Sequence, residues 1–354
     1  MADTVRVAVV GAGYIGSIHA RTITRIQEEH PHLASLEYIV DVDSARAKKL
    51  ASQYGAKPVN SVSEIAGKID LAIVATPTHT HRRVVEELHE AGVPGALVEK
   101  PLAGSLEDAA AIVRLAGDMW ISVGHSERFN PAMDGLAGAY RLLGLSRMSL
   151  VSVETRRVGP FVERARGVDV MHDLASHDID VILSVTGEMP AKVYAVARQG
   201  IVTRLPDLAE IVMEFDGTVA VSSVNRVTPV KERRGIITFH GGEGHVMVDL
   251  DFITGEVRAY TREGMVKPGV EGGQPIYRED LAVLESFRAN DRPPVSVYES
   301  FTVLQICDMA LRSSHEARIV YSSEYKEYRG IVEEGIEGYK RFKAGLIGQG
   351  IMEV

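Results

Sequence analysis

The segment Val5-Arg6-Val7-Ala8-Val9-Val10-Gly11-Ala12-Gly13-Tyr14-Ile15-Gly16 constrains this chain more than any other. An apolar run of strand length passes directly into G-x-G-x-x-G, and Ser17–Glu29 read as a helix. Strand, glycine turn and helix in that order form the context in which the pattern holds a dinucleotide. Gly11 permits the tight turn, Gly13 lets a pyrophosphate reach the backbone, and Gly16 lets helix and strand pack closely. The unbonded N–H groups at the helix start then face the anion. Gly11, Gly13, Tyr14, Ile15 and Gly16 are the first candidate cofactor contacts.

Strand–helix alternation continues through the first third. Leu36–Val40, Leu71–Ala75, Ala96–Val98 and Trp120–Val123 read as strands, with helical patterns at Ser44–Tyr54, Thr80–Ala91 and Ser105–Leu115 between them. Such alternation predicts a parallel sheet covered on both faces. From about Ser146 the texture changes to longer β-branched runs at Arg147–Arg156, Lys192–Ile201, Glu210–Phe215, Val219–Val224, Ile236–His240 and His245–Asp249. Turn dipeptides such as Asp216-Gly217 and Gly241-Gly242 separate several of them, as in an antiparallel sheet. One long helix is expected at Asp169–Val185, a surface loop at Gly264–Pro275, and helices at Asp280–Ala289, Tyr298–Arg312 and Ser323–Ala344. The expected fold class is α/β, a doubly wound parallel Rossmann sheet followed by an α/β domain with a mostly antiparallel open sheet. A length of 354 residues exceeds what one core usually supports, so a division into 1–124 and 125–354 is expected.

A net charge of −9 argues against a nucleic-acid or membrane-surface partner. No run reaches the roughly 18 apolar residues of a membrane span, and the N-terminus lacks a signal-peptide pattern, so a cytoplasmic protein is expected. The single cysteine, Cys307, cannot form an internal disulfide and reads as helix core.

Asp41 follows the second strand, where a carboxylate accepts both adenosine ribose hydroxyls and repels a 2′-phosphate, which favours NAD over NADP. A cap on the next helix is the competing role, although Asp43 or Ser44 could supply that cap. Thr76-Pro77-Thr78-His79-Thr80-His81 follows another strand at the edge where doubly wound sheets bind ligands, so Thr76, Pro77 and His81 join the cofactor candidates. His79 and His81 lack a nearby third ligand, and His81 fits the start of the next helix, so no metal site is expected. Glu99-Lys100-Pro101 ends the following strand, where Lys100 could donate a hydrogen bond to a substrate hydroxyl and Glu99 could flank the cofactor. Surface Glu-Lys pairs of this kind are also common.

In Val170-Met171-His172-Asp173-Leu174-Ala175-Ser176-His177-Asp178-Ile179-Asp180, Asp173 and His177 stand four apart and share a helix face. A carboxylate beside an imidazole raises its basicity and fixes its tautomer, as a general base near neutral pH requires. A solvated ion pair gives the same spacing, as does a metal site with His172, which points about 100° from Asp173 in a regular helix. Asp178 falls on the apolar stripe and needs a buried partner. Arg128, Arg156 and Arg157 are candidate clamps for a substrate phosphate or carboxylate, or else ordinary surface arginines.

Taken in order, the glycine motif with His19, the Thr76-Pro77 to His81 loop, Glu99-Lys100-Pro101 and Asp173-x-x-x-His177 resemble the Gfo/Idh/MocA oxidoreductases. The resemblance covers nearly the whole chain. It implies NAD as cofactor, and Lys100, Asp173 and His177 around a reacting hydroxyl. It also implies a homodimer or homotetramer. Gly124–Pro131, Arg156–Phe161 and His172–Asp180 are similar to a narrower group, the microbial UDP-N-acetylglucosamine 3-dehydrogenases. This similarity implies a nucleotide-sugar substrate oxidised at its 3-hydroxyl. Gly167-Val168-Asp169 departs from the Gly-Gly-Gly run of many members, so the substrate-side loop differs. Oxidation or reduction of another sugar, aminosugar or inositol is the alternative, as is a sensor role without catalysis. The sensor role is disfavoured because Lys100, Asp173 and His177 are all present.

Overall fold

The computed structural model describes residues 4–242 and 244–348, so the outer ends of both expected domains, 1–3 and 349–354, lie outside the described residues. The chain opens with β1 (Val5–Val10), α1 (Tyr14–Glu29), β2 (Ala34–Val40), α2 (Ser44–Tyr54), β3 (Lys57–Val59), β4 (Leu71–Val74), α3 (His81–Glu90), β5 (Gly95–Glu99), α4 (Leu106–Leu115) and β6 (Trp120–Gly124). These strands form one parallel sheet in the order β3-β2-β1-β4-β5-β6. The order reverses at β1, the point where doubly wound sheets open a crevice at their carboxyl ends. Val7, Val9, Leu71, Ile73 and Leu97 are buried because helices cover both faces of the sheet. α1 turns His19, Ala20, Ile23 and Ile26 inward at helical spacing. Asp43 caps α2 by accepting from the amides of Ala45 and Arg46.

Next come α5 (Pro131–Leu143), β7 (Ser149–Val158), a π-helical turn at Met171–Ala175 continuing into α6 (Ser176–Thr186), β8 (Lys192–Gln199), β9 (Pro206–Glu214), β10 (Val219–Asn225), β11 (Glu232–Gly241), β12 (Gly244–Asp251), β13 (Val257–Thr261) and β14 (Gly264–Val266). The chain closes with α7 (Pro275–Ala289), α8 (Val297–Glu316), β15 (Val320–Tyr321) and α9 (Arg329–Ile347). The second sheet runs β14-β13-β12-β11-β7-β10-β9-β8-β15, and every pair is antiparallel except β7 with β10. On one face, where Val153, Ile211, Met213, Ile237 and Val248 are buried, α5 packs on β12 and β13 and α6 on β7 and β10, with α9 lying against both helices. On the other, Tyr194, Val212, Val219, Met247 and Tyr260 stay exposed.

The division differs from the expected single boundary. Met1–Ser126 with Gln274–Phe301 forms one compact unit, and Glu127–Gly273 with Thr302–Val354 forms the other. The chain returns to the first unit because α7 completes its core: Val283 and Leu284 pack with Ile23 and Ile26, and Phe287 meets Trp120 edge-on at 5.3 Å. α5 was not expected, since Gly135 and Gly138 weaken helix propensity. The reason for a small residue is steric: a Cβ at Gly135 would lie 2.4 Å from Val257 Cγ2. Cys307 is fully buried on α8, as the sequence predicts.

Candidate active site

The glycine loop occupies the carboxyl end of β1. Gly11 has φ +105, and a Cβ there would fall 2.5 Å from the Ala75 carbonyl oxygen, so both backbone conformation and space demand glycine. At Gly16 a Cβ would collide with the Gly11 carbonyl oxygen. Gly13, which precedes α1, would meet nothing within 4 Å and leaves the backbone open to an approaching phosphate. Tyr14 is exposed and Ile15 half-buried at the helix start. These features fit the pyrophosphate of a dinucleotide, with the amides of the 16-residue α1 as its donors.

Asp41 lies at the end of β2, where Oδ2 accepts from Ala12 N at 2.8 Å and Oδ1 from Asp43 N at 2.8 Å. It therefore braces the glycine loop and leaves helix capping to Asp43, and each carboxylate oxygen retains a further lone pair for a ribose hydroxyl. Arg46 Nη2 stands 3.5 Å from Asp41 Oδ1. Thr76 and Pro77 follow β4, and Thr80 Oγ1 donates to the Pro77 carbonyl at 2.7 Å while lying 2.9 Å from the Thr76 hydroxyl.

His81 needs a correction. It does begin α3, but its ring is 1% exposed, with Nε2 at 2.9 Å from the Thr76 carbonyl and Nδ1 at 3.1 Å from the Pro101 carbonyl. Burial lowers its pKa below the ordinary imidazole value despite these contacts. Its buried ring is spent on bracing the Thr76 and Pro101 loops through their carbonyls. Glu99 is likewise committed within the protein: Oε1 meets His19 Nε2 at 3.0 Å and Oε2 accepts from Lys100 N at 3.1 Å. On its other side, His19 Nδ1 lies 2.9 Å from Asp280 Oδ1. Lys100 is half-buried at the carboxyl end of β5, on the edge that carries the glycine and Thr76 loops.

In the second unit, the expected helix divides into the π turn, which holds Asp173, and α6, which holds His177 in its first turn. Single π turns interrupt α-helices frequently at functional sites. The pair that sequence reasoning missed is His172 with Asp169, Nδ1 to Oδ2 at 2.8 Å. Burial opposes the imidazolium, but the Asp169 hydrogen bond and charge outweigh it, and His172 titrates above the usual range. Asp169 also accepts from the amides of Met171 and His172, an N-terminal capping pattern legible in the sequence once the helix start is known. Among the described residues, no three His, Cys, Asp or Glu side chains are grouped to hold a metal ion.

The arginine clamps are also corrected. Arg128 is buried, with Nε and Nη2 on Asp180 Oδ1 at 2.9 and 2.7 Å and its guanidinium over the Tyr339 ring at 4.5 Å. Arg157 is buried with Nε on Asp178 Oδ1 at 2.7 Å and Nη1 on Glu127 Oε1 at 2.9 Å. Arg157 is thus the buried partner that Asp178 requires. Arg156 points to the opposite side of the sheet and pairs with Glu232 at 2.8 Å, half-exposed. Strand alternation separates these neighbours, and their ion pairs stand in place of the expected substrate clamp.

Residues 5–123 match the family described as "Oxidoreductase family, NAD-binding Rossmann fold", and residues 147–247 match the GFO/IDH/MocA C-terminal domain. The chain is 31% identical over 270 residues to the UDP-N-acetylglucosamine 3-dehydrogenase of Acidithiobacillus ferrooxidans, covering 75% of this chain and 80% of the relative. It is 26% identical over 340 residues to the inositol 2-dehydrogenase of Rhizobium meliloti, covering 89% and 98%. A solved structure of the Acidithiobacillus ferrooxidans enzyme superposes with TM-score 0.78 at 26% identity, over 88% of this chain and 98% of that one. The chain belongs to the Gfo/Idh/MocA family of oxidoreductases. It is an NAD-dependent dehydrogenase. No described helix is long and apolar enough to cross a membrane.

Proposed function

We propose that this dehydrogenase acts on a secondary alcohol of a sugar, with the 3-hydroxyl of UDP-N-acetylglucosamine as its substrate group. The chemistry that bound NAD supplies is acceptance of a hydride. Lys100 donates a hydrogen bond to the reacting oxygen and stabilises its developing negative charge. His177, assisted by Asp173, withdraws the hydroxyl proton as general base. The observation that carries this reading is the position of Lys100 at the carboxyl end of β5, on the same sheet edge as the glycine loop. For the substrate, the support is the 31% identity to an enzyme named for that sugar nucleotide.

Inositol is the second reading, because a relative named for it aligns over 89% of this chain. The test is NADH formation from UDP-N-acetylglucosamine, free N-acetylglucosamine and myo-inositol at equal concentration. Turnover of the sugar nucleotide alone supports the first assignment. Equal or better use of inositol or the free sugar overturns it and leaves the wider class of sugar or polyol dehydrogenase. In this reading the protein works as a homodimer or homotetramer. Its second copy covers the sheet face bearing Tyr194, Val212, Val219, Met247 and Tyr260, where Lys192–Glu214 and Arg234–Asp249 ion pairs border the apolar side chains. Light scattering reads the mass, and a monomer overturns the assembly.

A further inference from the structure

We propose that Asp280, His19 and Glu99 form one buried relay that positions Lys100, with His19 holding the Glu99 carboxylate against the Lys100 main chain. The inference rests on the role given to Lys100 above. His19 comes from α1, immediately behind the glycine loop, and is 0% exposed. Asp280 comes from α7 and is 1% exposed. Glu99 ends β5, and the adjacent β6 position is Gly124, where a Cβ would come 3.3 Å from Glu99 Cδ. The relay thus joins three elements whose order in the chain gives no hint of their meeting.

A neutral imidazole carries one N–H and can donate to one carboxylate. Here Nδ1 lies 2.9 and 3.0 Å from the two Asp280 oxygens, while Nε2 lies 3.0 Å from Glu99. Both contacts are hydrogen bonds only if the triad holds one more proton than a neutral histidine between two carboxylates. Burial favours the neutral ring, but the charge and hydrogen bond of Asp280, then those of Glu99, lift the His19 pKa well above its ordinary value. Lys100 and His81 are the other charged or titratable groups acting on Glu99. With its extra proton the triad carries a net charge of about −1.

Stability alone is a poor reason for such a triad, because apolar residues of similar volume often replace buried ion pairs without loss. What an apolar replacement cannot supply is an acceptor of fixed direction for Lys100 N. The triad provides one in Glu99 Oε2, held by its other oxygen on His19. Asp280 and His19 are therefore positioning residues, acting through Glu99.

The test uses the full chain with NAD and the substrate found active in the panel above. Asp280→Asn keeps the shape and removes the charge. Its kcat should fall about 10- to 100-fold, the scale of a small misplacement of a reacting group, with NAD affinity and KM within about twofold. Because the carboxamide no longer holds the extra proton, the alkaline limb of the kcat profile should move to lower pH. In a Lys100→Met background, Asp280→Asn should cost nothing further, since both act through one group. If Lys100→Met itself leaves turnover intact, the assigned role of Lys100 fails. If Lys100→Met is impaired but folded Asp280→Asn keeps the normal kcat and pH profile, the relay fails. Should Asp280→Asn not fold, Glu99→Gln carries the same expectation for kcat. The unsubstituted protein gives an independent reading by proton NMR. It should show two strongly downfield, slowly exchanging protons from the triad at neutral pH, and one or none overturns the relay.

Discussion

Arg157 donates from Nε to Asp178 Oδ1 across 2.7 Å, joining the middle of the second sheet to the residue that follows His177. Burial works against the arginine cation, and Asp178 and then Glu127 more than reverse it, so Arg157 stays charged. Two residues on, Asp180 takes Arg128 in the same manner. Both ion pairs anchor α6, whose first turn carries His177.

Arg157→Met should cost about 3–5 kcal/mol of stability, because it leaves buried Asp178 without its cation and Glu127 with only Arg233 at 3.7 Å. Adding Asp178→Leu should recover part of that loss. Arg156→Ser, which removes only a half-exposed pair on the other face, should cost about 0–1 kcal/mol. Urea midpoints for the three variants measure the difference. Equal losses for Arg156→Ser and Arg157→Met would show that the two arginines share an environment.

Lys100→Met should keep the fold and NAD affinity while turnover drops at least about 10²-fold, the effect of losing one preorganised donor. His177→Asn should impair the same step, and added zinc should not restore it. Stopped-flow hydride transfer separates these effects from product release. Normal rates in Lys100→Met would make it a surface lysine.

NAD should be preferred to NADP, because a 2′-phosphate would meet the Asp41 carboxylate. Asp41→Ser should narrow or reverse the preference. Arg46 Nη2 is already 3.5 Å away, and while Arg46 Nε stays on Asp43 at 3.0 Å, the loss of Asp41 leaves Nη2 to meet a 2′-phosphate. The ratio of kcat/KM for the two cofactors is the measurement. Tenfold better use of NADP by the unsubstituted protein would contradict the assignment of Asp41.

The Asp169–His172 pair makes stability depend on pH from both sides. His172 titrates higher in the folded chain, so its contribution is complete below the unfolded value of about 6.5 and is lost as pH rises through the folded pKa. Asp169 is lowered, since its His172 and backbone hydrogen bonds overcome burial, and its contribution disappears as pH falls through its folded pKa. Asp169→Asn should therefore destabilise more at about pH 6 than at about pH 9. Thermal unfolding at the two values reads this, and an equal loss at both would remove the ion pair from the account.

Local patterns carried much of the fold. The expected Ser44–Tyr54 helix coincides with α2, and Leu36–Val40 and Lys192–Ile201 lie within a few residues of β2 and β8. Short edge elements such as β3 and β15 escaped notice, because two or three residues show no periodicity. α5 was hidden by glycines whose purpose is close packing, and the π turn by a sequence that reads as ordinary helix. The need for a partner at Asp178 was legible from its place on an apolar stripe, although Arg157 as that partner was not.

The sequence alone determined what depends on neighbours in the chain: the glycine turn, the strand–helix alternation, the Asp43 cap and the four-residue spacing of Asp173 and His177. Those features follow from backbone sterics and helical geometry over a few residues. Only the tertiary structure decided which charges meet. Asp280 lies 261 positions from His19, and no local rule links them. Arg156 and Arg157 look alike in the sequence, yet strand alternation sends one to solvent and the other into a core where its charge must be matched. Desolvation makes such pairing compulsory, but its partners are chosen by the packing of elements distant in the chain.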